Sequence, residues 1–256
     1  MTYIYAITNQ KGGVGKTTTS VNLAAALATA NYRVLLIDMD PQGHASMGVG
    51  IEKHRLTKTV LDVLLHEQKP NAVWRQACPD LLRVLPANGD LTEAEVALTK
   101  RRAGESVLRD ALDDARNEFD YILIDCPPTL NMLTLNALTA ANGVIVPMQC
   151  EYYALEGLAA LLGTVEQVMG SLNPDLSVVG VLRTLYDPRS NLTVQVSDQL
   201  KEYFGDRVFR TTIPRNIRLA EAPSYGKTIF QYDKQSRGAM AYLALAGELI
   251  RRNEMT

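Results

Sequence analysis

The stretch Gln-Lys-Gly-Gly-Val-Gly-Lys-Thr-Thr at residues 10–18, here called the glycine turn, constrains the fold of this 256-residue chain most. An apolar run at residues 4–7 precedes it, and an alanine-rich segment at residues 18–30, predicted to be a helix, follows it. Backbone N–H groups in such a turn and at a helix N-terminus converge on one point, where the helix dipole adds positive charge. The stretch therefore predicts a phosphate-binding turn between a strand and a helix.

The glycine turn fits the end of the phosphate-loop pattern G-x-x-x-x-G-K-[ST]. Gly15, Lys16 and Thr17 match that end, whereas Gln10 stands where the first glycine belongs, with Lys11 beside it. In this pattern the lysine reaches the β- and γ-phosphates and the hydroxyl binds Mg²⁺. A merely flexible turn is the alternative, and the coincidence of strand, glycines, lysine, hydroxyl and helix argues against it. The residues expected to contact the bound nucleotide are Gly12, Gly13, Val14, Gly15, Lys16, Thr17 and Thr18.

Further apolar runs alternate with predicted helices along the chain. The runs are continuous rather than alternating with polar residues, which is typical of a parallel sheet covered on both faces. We therefore predict one α/β domain over residues 1–256, a doubly wound, mostly parallel sheet with helices on both faces. Residues 44–102 give weaker signals and no functional assignment. The predicted strands are residues 4–9, 34–37, 81–85, 121–125, 144–148, 178–185 and 208–213, and one of the predicted helices covers residues 106–117.

Three aspartates follow predicted strands. Asp38 and Asp40 end the second strand, and Asp125 ends the run at residues 121–125. Ligands of open α/β sheets bind at the carboxyl ends of the strands, so these carboxylates should meet the glycine turn. Asp125 is placed as a Walker B carboxylate, which holds Mg²⁺ through water. A lone aspartate at a strand end is more often a cap or turn residue, and the phosphate loop is what favours the metal role.

Composition restricts the setting of the chain. The net charge of −2 argues against a bulk polyanion binder, but residues 181–256 carry 12 basic and 8 acidic side chains, so a local basic face is possible. Cys78, Cys126 and Cys150 lack C-x-x-C spacing, which predicts neither a disulfide framework nor a zinc site and favours a cytoplasmic setting. No apolar run approaches the roughly 18 residues that span a bilayer.

The form Lys-Gly-Gly-Val-Gly-Lys-Thr-Thr resembles the deviant P-loop of the ParA, Soj and MinD family of ATPases. Residues 34–46 resemble the family's switch I, residues 125–129 resemble its switch II, and residues 149–157 and 213–224 resemble the chromosomal ParA/Soj branch. The resemblance extends over nearly the whole chain. It implies a slow ATPase that needs ATP and Mg²⁺, and the absence of an N-K-x-D guanine-reading motif agrees with ATP.

The resemblance also implies individual roles. Lys11 would reach across a dimer interface to the partner's nucleotide, while Lys16 serves its own subunit. Asp40 would orient the attacking water, and Asp38 would support Mg²⁺ or the glycine turn from behind. Pro214 and Asn216 would flank the adenine, and Arg189 and Arg218 would bind DNA without sequence preference.

The implied partners are a second copy of the chain in an ATP-dependent homodimer, nucleoid DNA, and a ParB-like adaptor that stimulates hydrolysis during chromosome segregation. Alternatives stay open at this point. A relative with the same chemistry could position a plasmid, a chemoreceptor cluster or a protein compartment, or could be a MinD-like membrane ATPase or a binder that does not hydrolyse nucleotide. Residues 248–256 are short and mixed in charge, so we expect no stable membrane association.

Overall fold

One sheet of eight strands organises the computed structural model, which describes residues 2–152 and 154–254. The strands are β1 (Tyr3–Ile7), β2 (Val34–Asp38), β3 (Arg75–Gln76), β4 (Leu82–Leu85), β5 (Tyr121–Asp125), β6 (Gly143–Gln149), β7 (Ser177–Tyr186) and β8 (Val208–Pro214). Their order across the sheet is β3-β4-β2-β5-β1-β6-β7-β8. Every neighbouring pair is parallel except β3 and β4, so the predicted mostly parallel sheet is confirmed.

Helices connect the strands. They are α1 (Lys16–Thr29), α2 (His44–Gly48), α3 (Val60–Leu65), α4 (Leu91–Lys100), α5 (Val107–Leu112), α6 (Met132–Ala140), α7 (Ala154–Ser171), α8 (Asn191–Phe204), α9 (Ile217–Glu221), α10 (Ile229–Tyr232) and α11 (Arg237–Glu254). Within the described ranges, none combines the length and apolarity that crossing a bilayer requires.

Two apolar cores lie on opposite faces of the sheet. Successive side chains of a strand point to opposite faces, so Ile4 and Ala6 of β1 join one core while Tyr5 and Ile7 join the other. The first core includes buried residues of α3 through α8, and the second includes those of α1 and α11. Helices therefore cover both faces, as the continuous apolar runs predict.

The helix predicted over residues 106–117 is shorter than expected. It ends at Leu112, and a separate 3-10 turn follows at Arg116–Glu118. Asp113 and Asp114 would place negative charge at the C-terminal end of a longer helix, where the helix dipole disfavours it. The short antiparallel edge strand β3 was not predicted, because two polar residues show no apolar pattern.

The strands that carry the predicted site end at the same level. Asp125 at the end of β5 is the register partner of Asp38 on β2 and of Ile7 on β1. The glycine turn follows β1 directly. The central part of the sheet therefore presents two carboxylates and the glycine turn at one edge.

Candidate nucleotide site

The backbone of the glycine turn requires glycine at two positions. Gly13 has φ of +75° and Gly15 has φ of +85°, both in the left-handed region that is unfavourable for residues with a Cβ. The helix α1 begins at Lys16, immediately after Gly15. The N–H groups of its first turn have no partners within the helix, so they are available to a ligand.

One hydrogen bond from β7 and one from the residue just before the turn hold the turn in place. The Thr184 hydroxyl on β7 donates to the carbonyl of Val14 at 2.7 Å, and the Asn9 side chain accepts from the N–H of Lys11 at 3.0 Å. Lys16 is only 7% exposed, and its Nζ donates to the Lys11 carbonyl at 3.1 Å. Burial lowers the pKa of Lys16, and the nearby Asp125 opposes that effect. Lys16 is thus a buried cation held against the turn.

A cavity of about 610 Å³ opens beside the turn. Its walls are the glycine turn from Gly12 onward, Asp40, Pro41, Gln42 and His44 of switch I, and the loop that follows β5. Thr92 and Glu95 of α4 complete the lining. No sequence signal selects these two residues, because the pattern around them predicts only an ordinary amphipathic helix.

Asp125 offers a carboxylate suited to a magnesium site. It is fully buried, and its Oδ1 accepts from the Ser20 hydroxyl at 2.7 Å. Its Oδ2 has no hydrogen-bond partner among the described residues. Burial raises the pKa of Asp125, as does the neighbouring Asp38, while the hydroxyls of Ser20 and Thr17 favour the charged form. An unsatisfied carboxylate oxygen near the hydroxyl of Thr17, which lines the cavity, fits the oxygen donors that Mg²⁺ prefers. Sequence reasoning missed Ser20, which a helix position alone does not distinguish.

Asp38 accepts its described hydrogen bonds from other residues of switch I, and its predicted support of Mg²⁺ or of the glycine turn stays a prediction. Its Oδ2 accepts from the N–H and the hydroxyl of Ser46, at 2.8 and 2.7 Å, and its Oδ1 accepts from the N–H of Asp40 at 3.3 Å. Asp38 is fully buried, and that burial raises its pKa. The Ser46 hydroxyl also accepts from the N–H of Ala87 at 3.0 Å. Ser46 lies in the predicted switch I segment, but no local pattern assigned it this role.

Asp40 lies on the cavity wall, and its N–H donates to the buried Asp38. Its Oδ1 accepts from the N–H of Gln42 at 2.9 Å, and its carbonyl accepts from the N–H of Gly43 at 2.8 Å. A tight turn therefore fixes the Asp40 carboxylate locally. This placement is compatible with the predicted role in orienting water, which stays a prediction.

Lys11 points to a partner within its own subunit. Its Nζ forms an ion pair with the Glu151 carboxylate, and the two side chains are 43% and 44% exposed. The cross-subunit role of Lys11 remains a prediction. Glu151 belongs to the segment 149–157 that resembles the ParA/Soj branch, but sequence reasoning gave it no role. Tyr153 of that segment lies outside the described residues, as do Met255 and Thr256.

The predicted adenine residues lie at the end of β8. Pro214 ends that strand, and the Asn216 side chain caps α9 by accepting from the N–H of Leu219 at 3.2 Å. Neither lines the large cavity or a second one of about 240 Å³ that adjoins it at Thr17 and Thr18. Their contact with adenine also remains a prediction.

Both predicted DNA-binding arginines are exposed and already paired with carboxylates. Arg189 donates from Nε and Nη2 to the two oxygens of Asp187, each at 2.9 Å. Arg218 donates to Glu221 at 2.9 Å and lies 3.6 Å from Asp233. Any polyanion would have to share these arginines with acids of the same chain.

Comparison with known proteins identifies the family. A family model described as an AAA domain matches residues 2–178. The sporulation initiation inhibitor protein Soj of Bacillus subtilis is 52% identical over 246 residues, which cover 96% of this chain and 97% of that protein. The chromosome partitioning protein ParA of Myxococcus xanthus is 50% identical over 250 residues, covering 98% of this chain and 88% of that one.

A solved structure is also similar to this chain. The cobyrinic acid a,c-diamide synthase of Mycobacterium smegmatis, with bound ADP and magnesium, has a TM-score of 0.87 and 39% identity, and the match covers 99% of this chain and 96% of that one. The resemblance predicted from the glycine turn and the switch segments is thereby confirmed. The chain belongs to the ParA/Soj family of chromosome-partitioning ATPases, within the deviant P-loop NTPases.

Proposed function

We propose that this protein is a slow, Mg²⁺-dependent ATPase switch of chromosome partitioning. Two subunits would sandwich ATP, the resulting dimer would bind DNA without sequence preference, and a ParB-like partner would stimulate hydrolysis and release. The observation that carries the proposal is that Lys16, Thr17 and Asp40 line one cavity, with Asp125 buried next to it.

Each part of phosphoryl transfer to water has a candidate group in this cavity. Lys16 and the N–H groups at the start of α1 would hold the phosphates of the substrate. Magnesium, bound by Thr17 and through water by Asp125, would neutralise charge that develops on the phosphates. Asp40, fixed by the N–H of Gln42, would orient the attacking water.

Dimer formation would depend on Lys11 changing partners. In the subunit described here Lys11 pairs with Glu151, and both side chains are half-exposed, so an exchange costs little desolvation. The γ-phosphate of a second subunit's ATP would offer a stronger partner. The nucleotide would thus shift the population toward the dimer, and hydrolysis would remove that preference.

DNA binding would follow from dimerisation. Arg189 and Arg218 give two phosphate contacts in each subunit and four in a dimer. Four contacts correspond to a slope of roughly −4 in log K against log salt. A monomer presents half of them and would bind far more weakly.

The names of the relatives favour one kind of cargo over the others. The Myxococcus xanthus relative is named for chromosome partitioning and is 50% identical, whereas the protein named as a synthase is 39% identical. We therefore propose the chromosome as cargo and treat another cargo with the same chemistry as the alternative. A ParB gene with a centromere site next to the gene that encodes this chain would support the chromosome as the cargo.

Single-turnover ATP hydrolysis, combined with size-exclusion chromatography in ATP and ADP, tests the switch. Asp40→Ala should abolish turnover and retain an ATP-bound dimer, whereas Lys11→Ala should bind ATP as a monomer. Turnover at the wild-type rate by Asp40→Ala would contradict the assigned chemistry. DNA binding of equal strength in ADP, or binding unchanged in the Arg189→Ala, Arg218→Ala double variant, would contradict the DNA switch.

A further inference from the structure

Residues from outside switch I contact the turn that carries Asp40. Gly43 closes this turn with φ of +61°. A Cβ at Gly43 would lie 2.7 Å from the carbonyl oxygen of Ala87 and 3.0 Å from Cδ of Lys53. The side of Gly43 on which a Cβ would lie is therefore packed against both the loop after β4 and the aliphatic stem of Lys53.

Lys53 also contacts the turn through its charged end. Its Nζ donates a hydrogen bond to the carbonyl of Gln42. Gln42 in turn donates its N–H to the Asp40 carboxylate at 2.9 Å, and both residues line the cavity. The backbone carbonyl and the backbone N–H of Gln42 thus connect the Lys53 ammonium to the Asp40 carboxylate.

Neighbouring basic residues point elsewhere. Arg55 pairs with Glu52 at 2.9 Å, and Lys58 donates to the Gln68 side chain at 3.3 Å. Among the side-chain hydrogen bonds and ion pairs described for residues 53–58, that of Lys53 is the one that reaches switch I. Lys53 is the first residue of the 3-10 turn Lys53–Arg55.

We propose that Lys53 is a positioning residue for ATP hydrolysis, which holds the Gln42–Gly43 peptide so that Asp40 keeps its carboxylate toward the reacting water. This inference rests on the proposed function, since it assigns Lys53 an effect only through Asp40. Lys53 does not touch the glycine turn or the predicted metal ligands in any described contact. Its effect should therefore appear in the rate of the chemical step and leave nucleotide affinity almost unchanged.

The test compares three single variants in single-turnover hydrolysis at saturating Mg²⁺ and ATP. Lys53→Met keeps the length of the stem and removes the ammonium, Lys53→Arg restores a cation, and Lys58→Met is the matched control. Loss of this solvent-exposed hydrogen bond should slow hydrolysis by Lys53→Met about three- to tenfold. Lys53→Arg should recover most of the rate, and Lys58→Met should equal the wild type.

Nucleotide affinity separates positioning from a structural role. A fluorescent ATP analogue should bind Lys53→Met within about twofold of wild type, while the rate of hydrolysis falls. Wild-type hydrolysis by Lys53→Met, a parallel loss of affinity and rate, or no recovery of the rate by Lys53→Arg would each overturn the inference.

The same experiment distinguishes this inference from the proposed function. If Asp40→Ala hydrolyses ATP at the wild-type rate, the role of Asp40 fails, and the role of Lys53 fails with it. If Asp40→Ala is inactive and Lys53→Met is normal, the ATPase assignment stands and only the role of Lys53 is refuted.

Discussion

Replacing Asp125 by asparagine should stabilise the nucleotide-free protein while it abolishes hydrolysis. Asp125 and Asp38 are register partners on adjacent parallel strands, and both are fully buried. Adjacent strands lie about 4.8 Å apart. Two unit charges about 5 Å apart repel by about 3 kcal/mol at an effective dielectric constant of about 20. Asparagine removes that repulsion and keeps an oxygen that can accept from Ser20.

The expected gain at about pH 8 is about 1–3 kcal/mol, because partial protonation of the pair and the nearby Lys16 already relieve some of the repulsion. For a domain of this size, each kcal/mol raises Tm by roughly 2–4 °C. The gain should depend on pH. Burial raises the pKa of both carboxyls in the folded state, so their contribution to stability is fully present below about pH 4 and is lost as the pH rises through the raised values.

Urea unfolding without nucleotide or Mg²⁺ measures this effect at about pH 5 and about pH 8. Asp125→Asn should gain little at the lower pH and most at the higher one. Asp120→Asn is the control, because Asp120 pairs with Arg33 at 2.8 Å and this pair lowers its pKa. The control should gain nothing at either pH. A loss of stability by Asp125→Asn at pH 8, or an equal gain at both pH values, would refute the reasoning.

Three further substitutions test other parts of the site. Gly13→Ala should weaken ATP binding and cost roughly 1–2 kcal/mol in urea unfolding, because φ of +75° strains an L residue. Gly12→Ala should cost less, because Gly12 is not in the left-handed region and both sites have room for a Cβ. Ser46→Ala should destabilise the protein by about 1.5–3 kcal/mol, since it removes a hydrogen bond to the buried Asp38; a change below about 0.5 kcal/mol in thermal unfolding would contradict this. Asp187→Asn should raise DNA affinity in ATP by about twofold in fluorescence anisotropy by releasing its arginine, and weaker binding would show that the carboxylate orients that arginine instead.

The local parts of the molecule were predictable from the sequence. The strand, turn and helix around Lys16 follow from an apolar run, glycines and alanines that adjoin in the chain, and the structure has them within two residues of the predicted positions. Asp38 and Asp125 were placed at strand ends for the same reason. A parallel sheet places both carboxylates at one edge, whereas the register that pairs Asp38 with Asp125 is seen only in the structure.

The remaining parts depend on contacts between distant segments. Ser46, Glu151 and Lys53 acquire partners only when the chain folds, and each sits in a local sequence that does not distinguish it. Thr92 and Glu95 reach the cavity because α4 packs over it, a tertiary arrangement that helical periodicity does not encode. Pairing of Lys11 with Glu151 joins residues that are 140 positions apart.

The hydrogen bonds of Ser46 have a consequence for how the cavity wall opens. This one side chain joins Asp38 at the end of β2 to the amide of Ala87 in the loop that leads to α4. If switch I or the loop that leads to α4 moved outward alone, a buried polar group would lose its hydrogen-bond partner. The backbone N–H groups of Ser46 and Ala87 should therefore exchange with deuterium in a single cooperative opening. Switch I and the loop that leads to α4 would then open and close together.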